Sequence, residues 1–140
     1  MSDFNAQTIA EFRANHGKVG GPFEGAPLLL LHHIGRRSGE RHIVPLMYLP
    51  DPEDAATVYI FASRAGAPTH PDWYYNVLDA GNASIEVGDE NVAVSVREVP
   101  EPDRTTIYDR QKELYPGFRE YEEKTAGIRT IPVLALTRQT

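Results

Sequence analysis

The sequence has 140 residues, of which 41% are hydrophobic, and it contains no cysteine. This length and hydrophobic content suffice for one domain with its own core. The lack of cysteine excludes disulfides, thiol nucleophiles and thiolate metal sites, and it fits a cytoplasmic protein. The net charge of −6 argues against nucleic-acid binding, which needs a broad basic surface. No apolar run approaches the roughly 20 residues of a membrane-spanning helix, so no transmembrane segment is expected.

The N-terminal residues 2–16 are predicted to form an amphipathic helix with Ser2 as its N-cap. Its apolar face is formed by Phe4, Ile9 and Phe12, and a glycine-rich linker follows it. Three roles are open for such a helix. It can act as a lid, lie on a membrane surface, or cover one end of a barrel.

The next segment predicts a hairpin of two apolar strands at about 26–34 and 41–49. Pro45 lies inside the second strand and indicates a bulge or an edge strand, because proline has no N–H to donate to a neighbour. The connection, Gly35–Gly39, which we call the arginine turn, carries two adjacent arginines, a serine and two glycines. Such a turn presents positive charge and backbone N–H groups, so it is either an anion-binding turn or a solvated loop.

His32 and His33 are adjacent on the first predicted strand. Neighbouring side chains of a strand point to opposite faces, so this pair does not ligate one metal ion without distortion. We expect one histidine to face the core or a site and the other to face solvent, and we predict no metal site.

A third strand is predicted at 57–63, and it leads through Ser63–Gly66, which we call the serine loop, to a helix at 72–80. Pro71 favours a helix start and Gly81 a helix end. Trp73 in this helix is predicted to belong to the core.

The serine loop offers a second anion-binding segment, because it carries Arg64 and precedes a helix N-terminus, where anions are stabilised. Two such segments suggest a long anionic ligand. Its phosphate or carboxylate groups would lie on Arg36, Arg37, Arg64 and the backbone N–H groups, with an aromatic headgroup deeper against the barrel.

The remaining predicted elements are a hairpin at 83–87 and 92–99, helices at about 102–115 and 118–125, and a last strand at 131–137. The short connections between strands favour an antiparallel sheet rolled into a barrel over a doubly wound parallel sheet. We predict a mainly β (α+β) fold in one domain, with residues 1–25 as helix and linker and residues 26–140 as the barrel.

Three aromatic residues, Tyr115, Phe118 and Tyr121, recur every third residue across a Pro-Gly break. They form either an aromatic wall over a pocket or a contact between helix and barrel core. In a pocket, the tyrosine hydroxyls would orient a substrate carbonyl or donate a proton.

The chain resembles the deazaflavin-dependent nitroreductase family over about residues 28–136. These small actinobacterial oxidoreductases have a split β-barrel related to flavin-mononucleotide-binding proteins. The motifs that carry the resemblance are Gly35–Gly39, Pro45–Leu46, Ser63–Gly66, His70–Leu78 and Arg129–Val133. The resemblance implies coenzyme F-420 (8-hydroxy-5-deazaflavin) as cofactor and hydride transfer from its C5 to an electron-poor quinone, enone or nitroaromatic.

The resemblance also implies roles for individual residues. The implied cofactor contacts are Arg36, Arg37, Ser38, Gly39, His42, Val44, Pro45, Ser63, Arg64, Ala65, Gly66 and Asn76. The implied substrate-binding residues are Met47, Tyr115, Phe118 and Tyr121, and Tyr121, Tyr115 and Ser63 are candidates for a catalytic, proton-donating or substrate-orienting role. His42 and Val44 depart from the arginine and asparagine expected at these positions.

Three alternatives to such a reductase remain at this point. The chain can be a split-barrel oxidoreductase that uses flavin mononucleotide (FMN), a protein that binds the deazaflavin without turnover, or a barrel without a ligand. The expected partner is a small-molecule hydride acceptor, and the expected assembly is a monomer or a homodimer.

Overall fold

The structure, a computed structural model, describes residues 3–139. The predicted N-cap Ser2 and the side chain of Phe4 lie outside the described residues. The helices are α1 (Asp3–Ala14), α2 (Asp72–Ala80), α3 (Asp103–Leu114) and α4 (Gly117–Thr125). The strands are β1 (Leu28–Ile34), β2 (Arg41–Met47), β3 (Leu49–Pro50), β4 (Thr57–Phe61), β5 (Asn82–Val87), β6 (Glu90–Glu98) and β7 (Val133–Arg138).

The strands form one antiparallel sheet in the order β2-β1-β5-β6-β7-β4-β3. Together with the helices on its faces, this curled sheet is the predicted split β-barrel. Pro45 lies in β2, at the edge of the sheet, as its missing N–H predicted. Most predicted element ends agree with the observed ends to within two residues.

One predicted strand, 41–49, is divided in the structure. Met47 ends β2, whereas Leu49 begins β3, which pairs with β4 at the opposite edge of the sheet. Between them, the Tyr48 N–H donates to the carbonyl oxygen of Pro27 at 3.2 Å. The segment divides because a single length of chain serves both edges of the curled sheet, a long-range requirement that local sequence patterns do not record.

The inner face of the sheet packs against α2. Trp73 is only 7% exposed there and lies in a cluster with Leu31 and Leu134, which confirms its predicted place in the core. On the outer face, α3 and α4 cover β4 and β7, and Phe118 is buried with Phe61. The alternation of apolar residues along each strand therefore supplies two core layers.

Helix α1 covers the outer face of the β1–β2 hairpin. Ile9 and Phe12 are buried against Leu28 and Leu30, so these two side chains of α1 face the barrel, as in the third predicted role. Within residues 3–139, no helix is long and apolar enough to cross a membrane.

Candidate functional site

An open cleft of about 860 Å³ lies between the arginine turn, the inner side of β2 and the start of α2, and we call it the arginine cleft. Six of the predicted cofactor contacts line it: Arg36, Arg37, Ser38, His42, Val44 and Asn76. Three arginines and two carboxylates line the cleft, so it carries local positive charge in a chain whose net charge is −6. Its volume is that of a site for a cofactor-sized molecule.

The arginine turn is held in shape by its own hydrogen bonds. The N–H of Gly35 donates to the Glu40 carbonyl at 2.8 Å, and the N–H of Gly39 donates to the Gly35 carbonyl at 2.9 Å. Gly39 has φ of 73°, in the left-handed region that favours glycine. Among the described residues, the N–H groups of Arg37 and Ser38 have no protein acceptor, so both can bind an anion.

The two arginines of this turn have different surroundings. Arg36 donates its backbone N–H and Nη1 to Asn76 Oδ1 at 3.1 and 2.8 Å, and its guanidinium lies 5.1 Å from the ring centroid of Tyr75. Within residues 3–139, the Arg37 side chain has no hydrogen-bond or ion-pair partner. Arg36 therefore fastens the turn to α2, whereas Arg37 is available to a ligand.

The two adjacent histidines face opposite sides of the sheet, as predicted, but the expectation that one of them faces solvent is wrong, because His32 is largely covered and pairs with Glu86. His32 Nε2 lies 2.6 Å from Glu86 Oε2, next to α1, whereas His33 faces α2 and is 8% exposed. In the register of the hairpin His33 is opposite His42, and their rings stack at 5.2 Å. Across the described part of the chain, no group of three acidic or histidine side chains could hold a metal ion.

The serine loop has an unusual backbone. Arg64, Ala65 and Gly66 follow one another with φ values of 47°, 52° and 82°. Non-glycine residues rarely adopt this left-handed conformation, which costs free energy and persists only where surrounding contacts impose it. Arg64 Nη1 donates to Thr69 Oγ1 at 2.5 Å, which turns that guanidinium back along its own loop.

Arg129 supplies the contacts that impose this conformation. Its guanidinium donates to the carbonyl oxygens of Ala62, Ser63 and Ala67 at 2.9–3.0 Å and to His70 Nδ1 at 2.9 Å. Burial and then the Arg129 charge lower the pKa of His70, which keeps its ring a neutral acceptor. Arg129 belongs to the motif Arg129–Val133, but its role could not be predicted from the motif, because a motif does not say which distant carbonyl oxygens a guanidinium reaches.

The structure does not bring the two candidate anion-binding segments into one cleft. None of the described residues of the serine loop lines the arginine cleft. Tyr75 of α2 nevertheless lies near both, since its ring centroid is 5.1 Å from the Arg36 guanidinium and 5.9 Å from the ring of His70, which follows the serine loop in the chain. A ligand held by both segments would have to extend along the start of this helix.

The predicted substrate-binding residues gather on the other side of the sheet. Met47, Tyr115 and Tyr121 pack against the outer core cluster, which contains Phe118, and no member of this group lines the arginine cleft. Phe118 is 7% exposed, with ring centroids of Phe61 and Tyr121 at 5.5 and 5.2 Å, so it corresponds to the core contact of the two predicted alternatives.

Helix α4 joins this aromatic group to the serine loop. A Cβ added at Gly66 would lie 3.3 Å from the Cα of Tyr121 and 2.8 Å from Lys124 Cδ, so the helix packs directly on the loop. Ser63 and Tyr121 are both half-buried. The serine loop thus lies beside α2 on one side and beside the candidate substrate residues on the other.

The chain is similar to known proteins over most of its length. Residues 5–138 match the family described as F420H(2)-dependent quinone reductase. The chain is 31% identical over 134 residues to the F420H(2)-dependent quinone reductase Rv1261c of Mycobacterium tuberculosis (strain ATCC 25618 / H37Rv), covering 93% of this chain and 87% of that protein.

Solved structures of similar proteins have the same fold. The structure of the F420-H2 dependent reductase FDR-A is 32% identical, covers 79% of this chain and 93% of its own, and superposes with a TM-score of 0.67. A second structure, described as a domain-swapped dimer, is 30% identical, covers 94% and 92% of the two chains, and has a TM-score of 0.69. The chain belongs to the F420H(2)-dependent quinone reductase family.

Proposed function

We propose that this protein reduces a quinone with reduced coenzyme F-420, which it holds through the arginine cleft and the serine loop. The observation that carries the proposal is that the Arg37 guanidinium and two neighbouring backbone N–H groups have no partner among the described residues and lie in a cofactor-sized cleft. Family membership supports the cofactor, and the relatives named as quinone reductases support the acceptor.

The residues present fit an anionic, tailed cofactor. Arg37, Ser38 and Arg41 would bind phosphate or carboxylate groups, while Arg36 and Asn76 would keep the turn in place. The proposed contacts also include Gly39, His42, Val44 and Pro45 at the hairpin, and Ser63, Arg64, Ala65 and Gly66 in the serine loop.

When bound, the reduced deazaflavin supplies a hydride from C5 to the acceptor. A quinone that takes a hydride also takes one proton. We assign its donation, or the orientation of the acceptor carbonyl, to a hydroxyl of Tyr121, Tyr115 or Ser63, with Met47 and Phe118 shaping the acceptor side. The contact between α4 and Gly66 supports this assignment, because it holds Tyr121 beside the serine loop.

Titration of Trp73 fluorescence tests the cofactor, since Trp73 lines the arginine cleft and is the single tryptophan of the chain. Coenzyme F-420 is expected to bind, and Arg37→Ala to weaken binding about tenfold, because a charge-assisted hydrogen bond contributes about 1.5–3 kcal/mol. Arg97→Ala, at an exposed position of β6 outside the cleft, is the matched control. Binding of FMN alone would contradict the cofactor assignment and favour the FMN alternative.

Reoxidation of the bound reduced cofactor tests the reaction. A menadione-type quinone is expected to reoxidise it faster than a nitroaromatic or an enone of similar size. If none of the three acceptors does so while the cofactor binds tightly, the protein is a deazaflavin carrier rather than an enzyme.

For assembly we propose a homodimer in the cytoplasm. The similar structure described as a domain-swapped dimer supports the dimer, and the cysteine-free composition supports the location. Light scattering behind size-exclusion chromatography should give twice the mass of the chain, and cell fractionation should recover the protein away from membranes. A monomeric mass would contradict the dimer.

A further inference from the structure

The buried histidine of the arginine cleft contacts another side chain through its ring nitrogen. His33 Nδ1 lies 3.0 Å from Asn76 Nδ2, and both side chains are at least nine-tenths buried. Leu29 and Leu31 precede His33 on the same inner face of β1, so the strand replaces an expected apolar residue by a polar one at this point.

The orientation of the Asn76 amide follows from its other partner. Oδ1 lies within 3.1 Å of the backbone N–H and Nη1 of Arg36, and both of these groups can only donate. The oxygen must therefore face Arg36, so Nδ2 faces His33. Because Nδ2 also only donates, His33 Nδ1 must carry a lone pair and its proton must lie on Nε2.

The electrostatic surroundings of His33 agree with a neutral ring. Burial first, and then the charge of His42, lower its pKa to about 4, against an opposing contribution of Asp72. A flipped amide would direct an NH₂ group at the N–H and guanidinium of Arg36, and the turn would lose both of its hydrogen bonds to Asn76.

We propose that His33 is a positioning residue: by accepting from Asn76, it fixes the amide that anchors Arg36, and so sets the anion affinity of the arginine turn. His33 acts through Asn76 and does not need to touch the ligand. The expected effect on anion affinity rests on the proposed function. The hydrogen bonds from Arg36 through Asn76 to His33, which we call the relay, can be tested without any cofactor.

Two variants of His33 separate the loss of its hydrogen-bond acceptor from a change of side-chain shape. His33→Leu removes the acceptor, whereas His33→Asn places an amide oxygen close to the position of Nδ1 and should rescue it. His32→Leu is the matched control, because it changes the neighbouring histidine on the opposite face, outside the arginine cleft.

Calorimetric titration with coenzyme F-420 should show about tenfold weaker binding for His33→Leu, because the buried amide of Asn76 would lose its acceptor and hold Arg36 less firmly. Binding to His33→Asn and His32→Leu should stay within about threefold of the original protein. Equal affinities of the original protein and His33→Leu would overturn the proposal. If the original protein itself does not bind, the proposed function fails, and the relay is decided by the next measurement.

Nuclear magnetic resonance measures the protonation of His33 and the protection of the Arg36 amide, and so tests the relay without a ligand. In the original protein, the ¹⁵N shifts of His33 should show Nδ1 unprotonated, and the Arg36 amide should be protected from hydrogen exchange. Protection should fall in His33→Leu and return in His33→Asn. In Asn76→Asp, which offers only acceptors, His33 should carry a proton on Nδ1. A proton on Nδ1 in the original protein, or an unchanged His33 in Asn76→Asp, would overturn the proposal even if His33→Leu does not fold.

Discussion

The arginine turn and the serine loop both follow a strand, and both contain arginine and a left-handed glycine, yet they are held in opposite ways. In the turn, Arg36 donates to Asn76, whereas Arg37 has no partner in the described part of the chain and lies beside an open cleft. In the loop, Arg129 occupies the carbonyl oxygens and α4 packs on the glycine. The turn therefore offers charge to a ligand, while the loop offers a backbone of fixed shape.

The largest expected loss of stability follows from a substitution of Arg129. Arg129→Met should lower the free energy of unfolding by about 3–4 kcal/mol, because the carbonyl oxygens of Ala62 and Ala67 lose their Arg129 donor and that of Ser63 keeps only the Gly66 N–H. Urea unfolding measures this change. Arg119→Met, at an exposed position of α4, controls for loss of charge and should change stability by less than about 0.5 kcal/mol. Equal effects would show that the loop keeps its shape without Arg129.

Each region lies next to a histidine with a lowered pKa. His33 precedes the arginine turn, and His70 follows the serine loop. The pKa of His33 is about 4 in the folded chain, below its ordinary value of 6.5. As the pH falls, the unfolded chain takes up this proton first, so the free energy of unfolding should fall between about pH 6.5 and 4, by about 3 kcal/mol. Below pH 4 this contribution is fully lost.

Urea unfolding of the original protein and of His33→Asn at pH 7, 5.5 and 4 separates this contribution from the other acid-sensitive groups. The variant should lack it. His70→Asn should remove a smaller part of the slope, since the pKa of that ring is lowered less. Parallel pH profiles for all three proteins would contradict the assignment of a neutral, buried His33.

The smallest predicted difference compares two glycines with similar backbone angles. Gly39→Ala meets no atom within 4 Å, so it should cost only the left-handed conformation, about 1 kcal/mol. Gly66→Ala has the same conformational cost and also drives a Cβ against Lys124 and Tyr121, so it should cost about 1–2 kcal/mol more. Thermal unfolding gives both values. Equal costs would mean that α4 does not press on the serine loop.

Local patterns were sufficient for much of the fold. The alternation of apolar residues located the hairpins, Gly81 ended α2 as predicted, and Pro45 marked an edge strand. The division of the segment at Tyr48 was not predictable in this way, because it depends on two strands that lie far along the chain from each other.

The candidate site was also predictable only in part. The arginine turn was recognisable because charge, glycine and serine are adjacent in the sequence. The different roles of Arg36 and Arg37 were not predictable, because they depend on Asn76, which lies forty residues from Arg36 in the sequence. Arg129 and His33 needed the structure for the same reason, because each acts through partners that only the folded chain brings near.

Tyr75 is 42% exposed, and its ring contacts both Arg36 and His70. One helix therefore lies beside the arginine turn and beside the residue that follows the serine loop. If a ligand ordered one of these candidate segments through α2, the entropy lost in that step would not be lost again when a second part of the ligand arrived. The two contacts of such a ligand would then be thermodynamically coupled, and the coupling would be reciprocal: a change that loosens α2 at one contact would weaken binding at the other.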